Sequence, residues 1–162
     1  MNRLLTRPGP LLWLVALVCL AAVGLALLSQ YRYEMLPCPW CTFQRLIFLL
    51  IGALALLGAV LNSAGVRLVI AVGSMLLAAG GMAAALWQHH VAAATNSCNL
   101  TLADRIMQAL GLYDHAPEVF APMASCAEAA VDLLGVPYAY WSLAVFALCG
   151  LLCVQVLRVA RY

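Results

Sequence analysis

Four stretches of this chain are long, apolar and almost free of charge, and that pattern constrains the fold more than any other feature. Pro10 to Leu28 is 19 residues without a charged side chain, enough helix to cross a hydrocarbon core of roughly 30 Å. Arg3 and Arg7 give it the flank of a signal peptide, but its apolar run is too long for one. Leu46 to Leu61 is a second run of 16 apolar residues, or 19 if it starts at Phe43 and carries Gln44 and Arg45 in its first turn. Leu68 to Trp87 is a third, and its glycines and alanines let helix backbones approach closely. Tyr138 to Leu157 is the fourth, entered through Pro137 with Tyr138, Tyr140 and Trp141 as interfacial aromatics. With 67% hydrophobic and 9% charged residues, a water-soluble globule, a disordered chain, collagen and a coiled coil are all excluded. In 162 residues, four spans leave room for one modest extramembrane loop, whereas six leave none.

The expected fold is therefore an all-α membrane protein, a four-transmembrane-helix bundle forming a single integral membrane domain over 1–162. Its spans lie at about 10–28, 43–61, 68–87 and 138–157, with loops at 29–42 and 88–137 on one side. Asn62 to Arg67 is a tight turn on the other side, together with both termini. That side holds Arg3, Arg7, Arg67, Arg158 and Arg161 and no acid; the loop side holds Arg32, Arg45, Arg105 and all six acids. Under the positive-inside rule the termini are cytoplasmic and both larger loops face outward. The eight basic residues, all arginine, form no tract, so nucleic acid is not an expected partner. In the long loop, Thr101-Leu102-Ala103-Asp104 has the pattern of a helix N-terminus and Gly111 that of its stop. Leu102, Ile106 and Leu110 share one face, which predicts a short helix lying along the membrane surface.

The seven cysteines divide along this topology. Cys19, Cys149 and Cys153 fall inside spans, where a thiol behaves as a small hydrophobe. Cys38, Cys41, Cys98 and Cys126 fall in the outer loops, in a compartment expected to be oxidising, and should pair as disulfides. A bridge from Cys98 to Cys126 would staple a long loop, stabilising it by a few kcal/mol. That argument fails for Cys38 and Cys41, because so short a ring constrains little, while C-x-x-C is the spacing of redox-active pairs. Both sit at the start of the second span, where a helix N-terminus favours a thiolate.

Arg45 lies four residues after Cys41 and seven after Cys38, so a helix brings all three to one face. Alone, it reads as a snorkelling arginine. Beside a C-x-x-C it can stabilise a Cys41 thiolate and donate hydrogen bonds to a carbonyl oxygen of a lipid-soluble acceptor. Zinc is disfavoured because Cys98 and Cys126 are separated by 27 residues, far from the close spacing of structural ligands. His89 and His90 point about 100° apart on an α-helix and so do not share one ion; His89 remains a candidate for hydrogen bonding or proton transfer at the redox site. No metal is expected.

At these residues the sequence resembles the disulfide bond formation protein B (DsbB) family of bacterial inner-membrane oxidases. The resemblance rests on Cys38-Pro39-Trp40-Cys41-Thr42-Phe43-Gln44-Arg45, on Trp87-Gln88-His89, on Cys126-Ala127-Glu128 and on Asp132-Leu133-Leu134-Gly135 leading into the last span. With the four-span layout it covers nearly the whole chain. It implies a quinone-dependent thiol oxidase of the inner membrane whose partner is a periplasmic thioredoxin-like dithiol protein of the DsbA type. The partner would attack the long-loop disulfide at Cys98 and release Cys126, which would attack Cys38. Cys41 would then meet a membrane quinone, ubiquinone or menaquinone, beside Arg45 and His89, and the quinone pool would pass the electrons to the respiratory chain. Two other functions fit less well. A thiol reductase or inward electron conduit would need a cysteine pair or cofactor able to pass electrons across the bilayer, and Cys19, Cys149 and Cys153 lack C-x-x-C spacing; a scaffold or small transporter leaves Arg45 unexplained.

Overall fold

A computed structural model describes residues 7–61, 63–94 and 101–160. Four long helices carry the chain back and forth: α1 (Pro8–Tyr33), α2 (Pro39–Val60), α3 (Ala64–Trp87) and, after the long loop, α7 (Tyr138–Ala160). Each of these helices is long and apolar enough to cross a membrane. They close into a ring in which α1 packs on α2 and α7, and α3 packs on the same two. This is the expected all-α four-helix membrane bundle. Its outward faces are apolar as well, with Leu17, Leu25, Val69, Leu76 and Leu151 exposed. A helix that is apolar all round is satisfied only when lipid covers what its neighbours do not.

The helices overrun the hydrophobic stretches that announce them. The α1 ladder continues through Ser29 and Gln30 to Tyr33 and stops where Glu34 turns left-handed at φ 53°, its N–H returning to the Ser29 carbonyl. Helix α2 starts at Pro39 rather than Phe43 because proline suits the first helical position and Cys38 caps the end. Helix α3 runs on into a π-helical turn (Gln88–Ala92). The long loop then forms α4 (Leu102–Ala109), α5 (Leu112–His115) and α6 (Pro117–Phe120), followed by a two-stranded hairpin of β1 (Asp132–Leu133) and β2 (Val136–Pro137). The sequence signature of α4 is realised as a full capping box. Thr101 accepts from the Asp104 N–H, and the Asp104 carboxylate accepts from the Thr101 N–H. Its buried side is Ala103, Asp104 and Met107, while Leu102 and Leu110 are exposed, so the expected apolar face points away from the bundle.

The core centres on Phe48 of α2 and Phe146 of α7, stacked nearly parallel with ring centroids 3.9 Å apart. Gly81 of α3 lies against this pair, leaving the room that Phe146 occupies. Cys19 of α1 and Cys149 and Cys153 of α7 are buried in the same core, with the Cys19 and Cys149 sulfurs 3.7 Å apart. A second small cluster sits above it at the loop end, built on Cys38, Trp40, Ala84, Ala103 and Cys126.

Candidate redox site at the mouth of the bundle

The N-terminus of α2 is the foundation of the site. Its unpaired amides need acceptors, and two of them find sulfur: the Cys41 N–H donates to Cys38 Sγ at 3.3 Å, and the Trp40 N–H donates to Cys126. The helix dipole at this end favours negative charge on either atom. Cys38 stands between two potential partners. Its Sγ is 2.8 Å from Cys41 Sγ and within hydrogen-bonding reach of Cys126. All six described cysteines are thiols.

These contacts polarise the outer pair. Hydrogen bonding to Cys126, then to Cys41, together with burial, holds the Cys38 thiol well above its usual range. Receiving the Cys38 hydrogen bond draws the Cys126 thiol below its own. Cys126 is therefore the readier thiolate, and it faces Cys38.

The loop that carries Cys126 is tied down next to this helix end. The N–H groups of Met123 and Ala124 both donate to the Pro37 carbonyl, at 2.9 and 3.2 Å. The Tyr31 hydroxyl donates to the Glu118 carbonyl at 2.8 Å. Arg45 adds a third tie: its Nη1 donates to Gln30 Oε1 at 2.7 Å and to the Val119 carbonyl at 2.8 Å. Sequence separates Arg45 from the long loop, but the structure joins them. Arg45 is only 5% exposed, and among the described residues no carboxylate pairs with it; its Nε has no hydrogen-bond partner.

Behind Cys41 and Arg45 lies a cavity of about 400 Å³ between α1 and α7. Cys41, Gln44, Arg45 and Gln88 line its polar side, and Ala22, Leu25, Phe48 and Val145 are among its apolar walls. That size and that balance suit a small organic ligand. His89 lies elsewhere. It lines a second cavity of about 60 Å³ with Cys126, Asp132 and Tyr138, and its ring lies 4.8 Å from both His90 and Tyr140. Among the described residues no cluster suited to a metal ion occurs. Cys98 lies outside the described residues.

Three glutamines complete the site, and the sequence pattern assigns none of them a role. Gln30 accepts from Arg45, Gln88 donates to Cys41 Sγ at 3.2 Å, and Gln44 donates to Gln88 at 2.6 Å. The available signal was their placement, since a carboxamide at the end of an apolar span needs a buried partner.

The sequence model of the family described as disulfide bond formation protein DsbB matches residues 8–156. The chain belongs to the DsbB family. Disulfide bond formation protein B of Dechloromonas aromatica is 32% identical over 153 residues, covering 91% of this chain and 89% of the relative. Disulfide bond formation protein B 1 of Pseudomonas aeruginosa is 35% identical over 160 residues, covering 95% and 98% respectively. As a DsbB-family protein with four apolar spans, it is a multi-pass membrane oxidoreductase of disulfide bond formation.

Proposed function

We propose that this protein is a quinone-dependent thiol oxidase that reoxidises a periplasmic DsbA-type dithiol protein. The observation that carries this reading is the position of Cys41: it shares an apolar cavity wall with Arg45 while Cys38 stands between it and Cys126. The cavity fits a quinone on its own terms. Its walls are mainly apolar, and the buried Arg45 Nε–H is a donor without an acceptor, the kind of group that a ligand carbonyl satisfies. Arg45 and Cys41 would hold the ring end, with His89 acting from the adjoining small cavity. A bound quinone, ubiquinone or menaquinone, supplies a two-electron, two-proton acceptor connected to the respiratory chain.

The protein's own residues carry the exchange. A partner thiolate attacks Cys98 Sγ, breaking the Cys98–Cys126 bond and leaving Cys126 as thiolate. Cys126 attacks Cys38 Sγ; the Cys38–Cys41 bond breaks and its electron pair stays on Cys41. Geometry supports this step, because Cys126 and Cys38 are packed in one small buried cluster at the helix end. The partner's second thiol displaces Cys98, which recloses on Cys126 and returns Cys38 as a thiol. Two electrons have then moved from the partner to the Cys38–Cys41 pair. The charge distribution supports an inner-membrane location with cytoplasmic termini, and the exposed Leu102–Leu110 face of α4 supports contact with the membrane surface.

The test is reduction of a ubiquinone or menaquinone analogue by a reduced thioredoxin-like dithiol protein, using the purified chain and its Arg45 variants. Lysine retains the charge but not the planar donor fork, so Arg45→Lys keeps part of the rate and Arg45→Ala loses about tenfold or more, the equivalent of roughly 1.4 kcal/mol. Because Arg45 also holds Val119, Arg45→Ala is expected to slow the Cys126-to-Cys38 transfer, though less. A wild-type chain that leaves quinone unreduced, or an Arg45→Ala protein with full quinone turnover, refutes the reading.

A further inference from the structure

The Cys41 sulfur has a neutral neighbour as well as a charged one. Gln88 sits where α3 widens into the π-helical turn and reaches across to α2, placing Nε2 at 3.2 Å from Cys41 Sγ. Its amide is not free to rotate. Gln44 Nε2 donates to Gln88 Oε1 at 2.6 Å, so the oxygen of Gln88 is engaged on one side and its NH₂ faces the sulfur on the other. Both side chains are almost fully buried, Gln88 at 4% and Gln44 at 3% exposure. Two carboxamides are therefore linked donor to acceptor in one direction, ending on a single sulfur atom.

We propose that Gln88, oriented by Gln44, is the neutral hydrogen-bond donor that stabilises the Cys41 thiolate during the redox cycle. This rests on the function proposed above, in which Cys41 carries the electron pair released from the disulfide. A hydrogen bond to an ionised acceptor is stronger than one to its neutral form, so the same amide contributes more to the thiolate than to the thiol. An amide also does not titrate. Among the described residues, the titratable groups around Cys41 are Cys38 and Cys126 at the loop end, Arg45 on its own helix, and Tyr33 of α1 and Tyr138 of α7 across the cavity. A carboxylic acid in place of Gln88 would lose its proton and repel the sulfur as the medium became alkaline; the amide keeps its donor at every pH. Gln88 thus touches the reacting atom, and Gln44 is a positioning residue that acts through it.

The experiment uses the full chain in detergent, carrying Cys38→Ser so that Cys41 has no disulfide partner at its own motif. The rate of Cys41 alkylation by iodoacetamide is followed against pH by site-resolved mass spectrometry, with no quinone and no dithiol protein present. Gln88→Met keeps the length of the side chain and removes the donor. Its alkylation profile is expected to move about one pH unit towards alkaline, a roughly tenfold loss of reactive thiolate on the acid side. Gln44→Met leaves Gln88 in place but unfixed and should move the profile in the same direction by less. Gln88→Glu should move it furthest, because a like charge is added. A merely structural role would lower the melting temperature without moving the profile. An unchanged profile in folded Gln88→Met overturns the proposal; if that variant does not fold, an unchanged profile in Gln44→Met does so instead. Quinone reduction by the parent chain is measured separately, so its failure would refute the proposed function while the alkylation profiles still decide the role of Gln88.

Discussion

Replacing Gly81 with alanine tests whether the core and the redox cavity are mechanically connected. A Cβ on Gly81 would come within 2.5 Å of Phe146 Cζ, where ordinary contact begins at 3.4 Å, so the ring would have to retreat by about 1 Å in an interior packed like a crystal. That retreat presses on Phe48. Phe146 is fully buried and stacked on Phe48 at 3.9 Å, and Phe48 is part of the cavity wall. Overpacking of this kind costs about 1–3 kcal/mol, which in a chain of this length lowers the melting temperature by roughly 2–4 °C per kcal/mol. The displaced Phe48 should also raise the apparent KM for quinone while leaving the Cys126-to-Cys38 exchange unchanged. The assay is a thermal melt and a quinone titration on Gly81→Ala, Phe146→Leu and the double variant. In the double variant the smaller side chain relieves the clash, so its loss should fall short of the sum of the two single losses by about 1–3 kcal/mol. A Gly81→Ala protein that melts like the parent, or strictly additive losses, would refute the reasoning.

Two further outcomes follow from the cysteines. Replacing Cys19, Cys149 and Cys153 together with alanine should retain more than half of the dithiol oxidation, at some cost in stability from the space left in the core; loss of most activity in a folded triple variant would assign them a redox role. In the reduced protein, the thiolate is the reactive form, and the Cys126 pKa is lowered while that of Cys38 is raised. Cys126 should therefore reach its alkylation plateau at a lower pH than Cys38, and coincident or reversed profiles measured by mass spectrometry would contradict the hydrogen bond between them.

Hydropathy made the four-helix architecture legible because each span had to bury its backbone and match a fixed thickness of lipid. Local chemistry made α4 legible, since Thr101 and Asp104 stand at the spacing a capping box needs. The same signals fail at helix ends. Apolar counting stops at Leu28 and begins at Phe43, whereas the hydrogen-bond ladder runs to Tyr33 and starts at Pro39. Ser29 and Gln30, polar residues that apolar counting assigns to a loop, therefore belong to the last turns of α1. The C-x-x-C and its following arginine were visible as a pattern along one helix face. Gln88 was not, because its role depends on α3 holding its ladder one residue past the apolar run, where the Gln88 N–H still donates to the Ala84 carbonyl. The proximity of Arg45 to Val119 is likewise a product of how the long loop folds back.

The Pro37 carbonyl, which receives the N–H groups of both Met123 and Ala124, carries a consequence for how such a chain can diverge. This tie, one of those between the two loops, is made of main-chain atoms, so it does not depend on which side chains flank it. Any residue other than proline can supply the two donors at 123 and 124, and proline itself can supply the acceptor at 37. The identities of side chains in that stretch are then released from holding the two loops together, while Cys126 stays packed with Cys38. Substitutions along this segment can accumulate generation after generation without the two sulfurs losing one another.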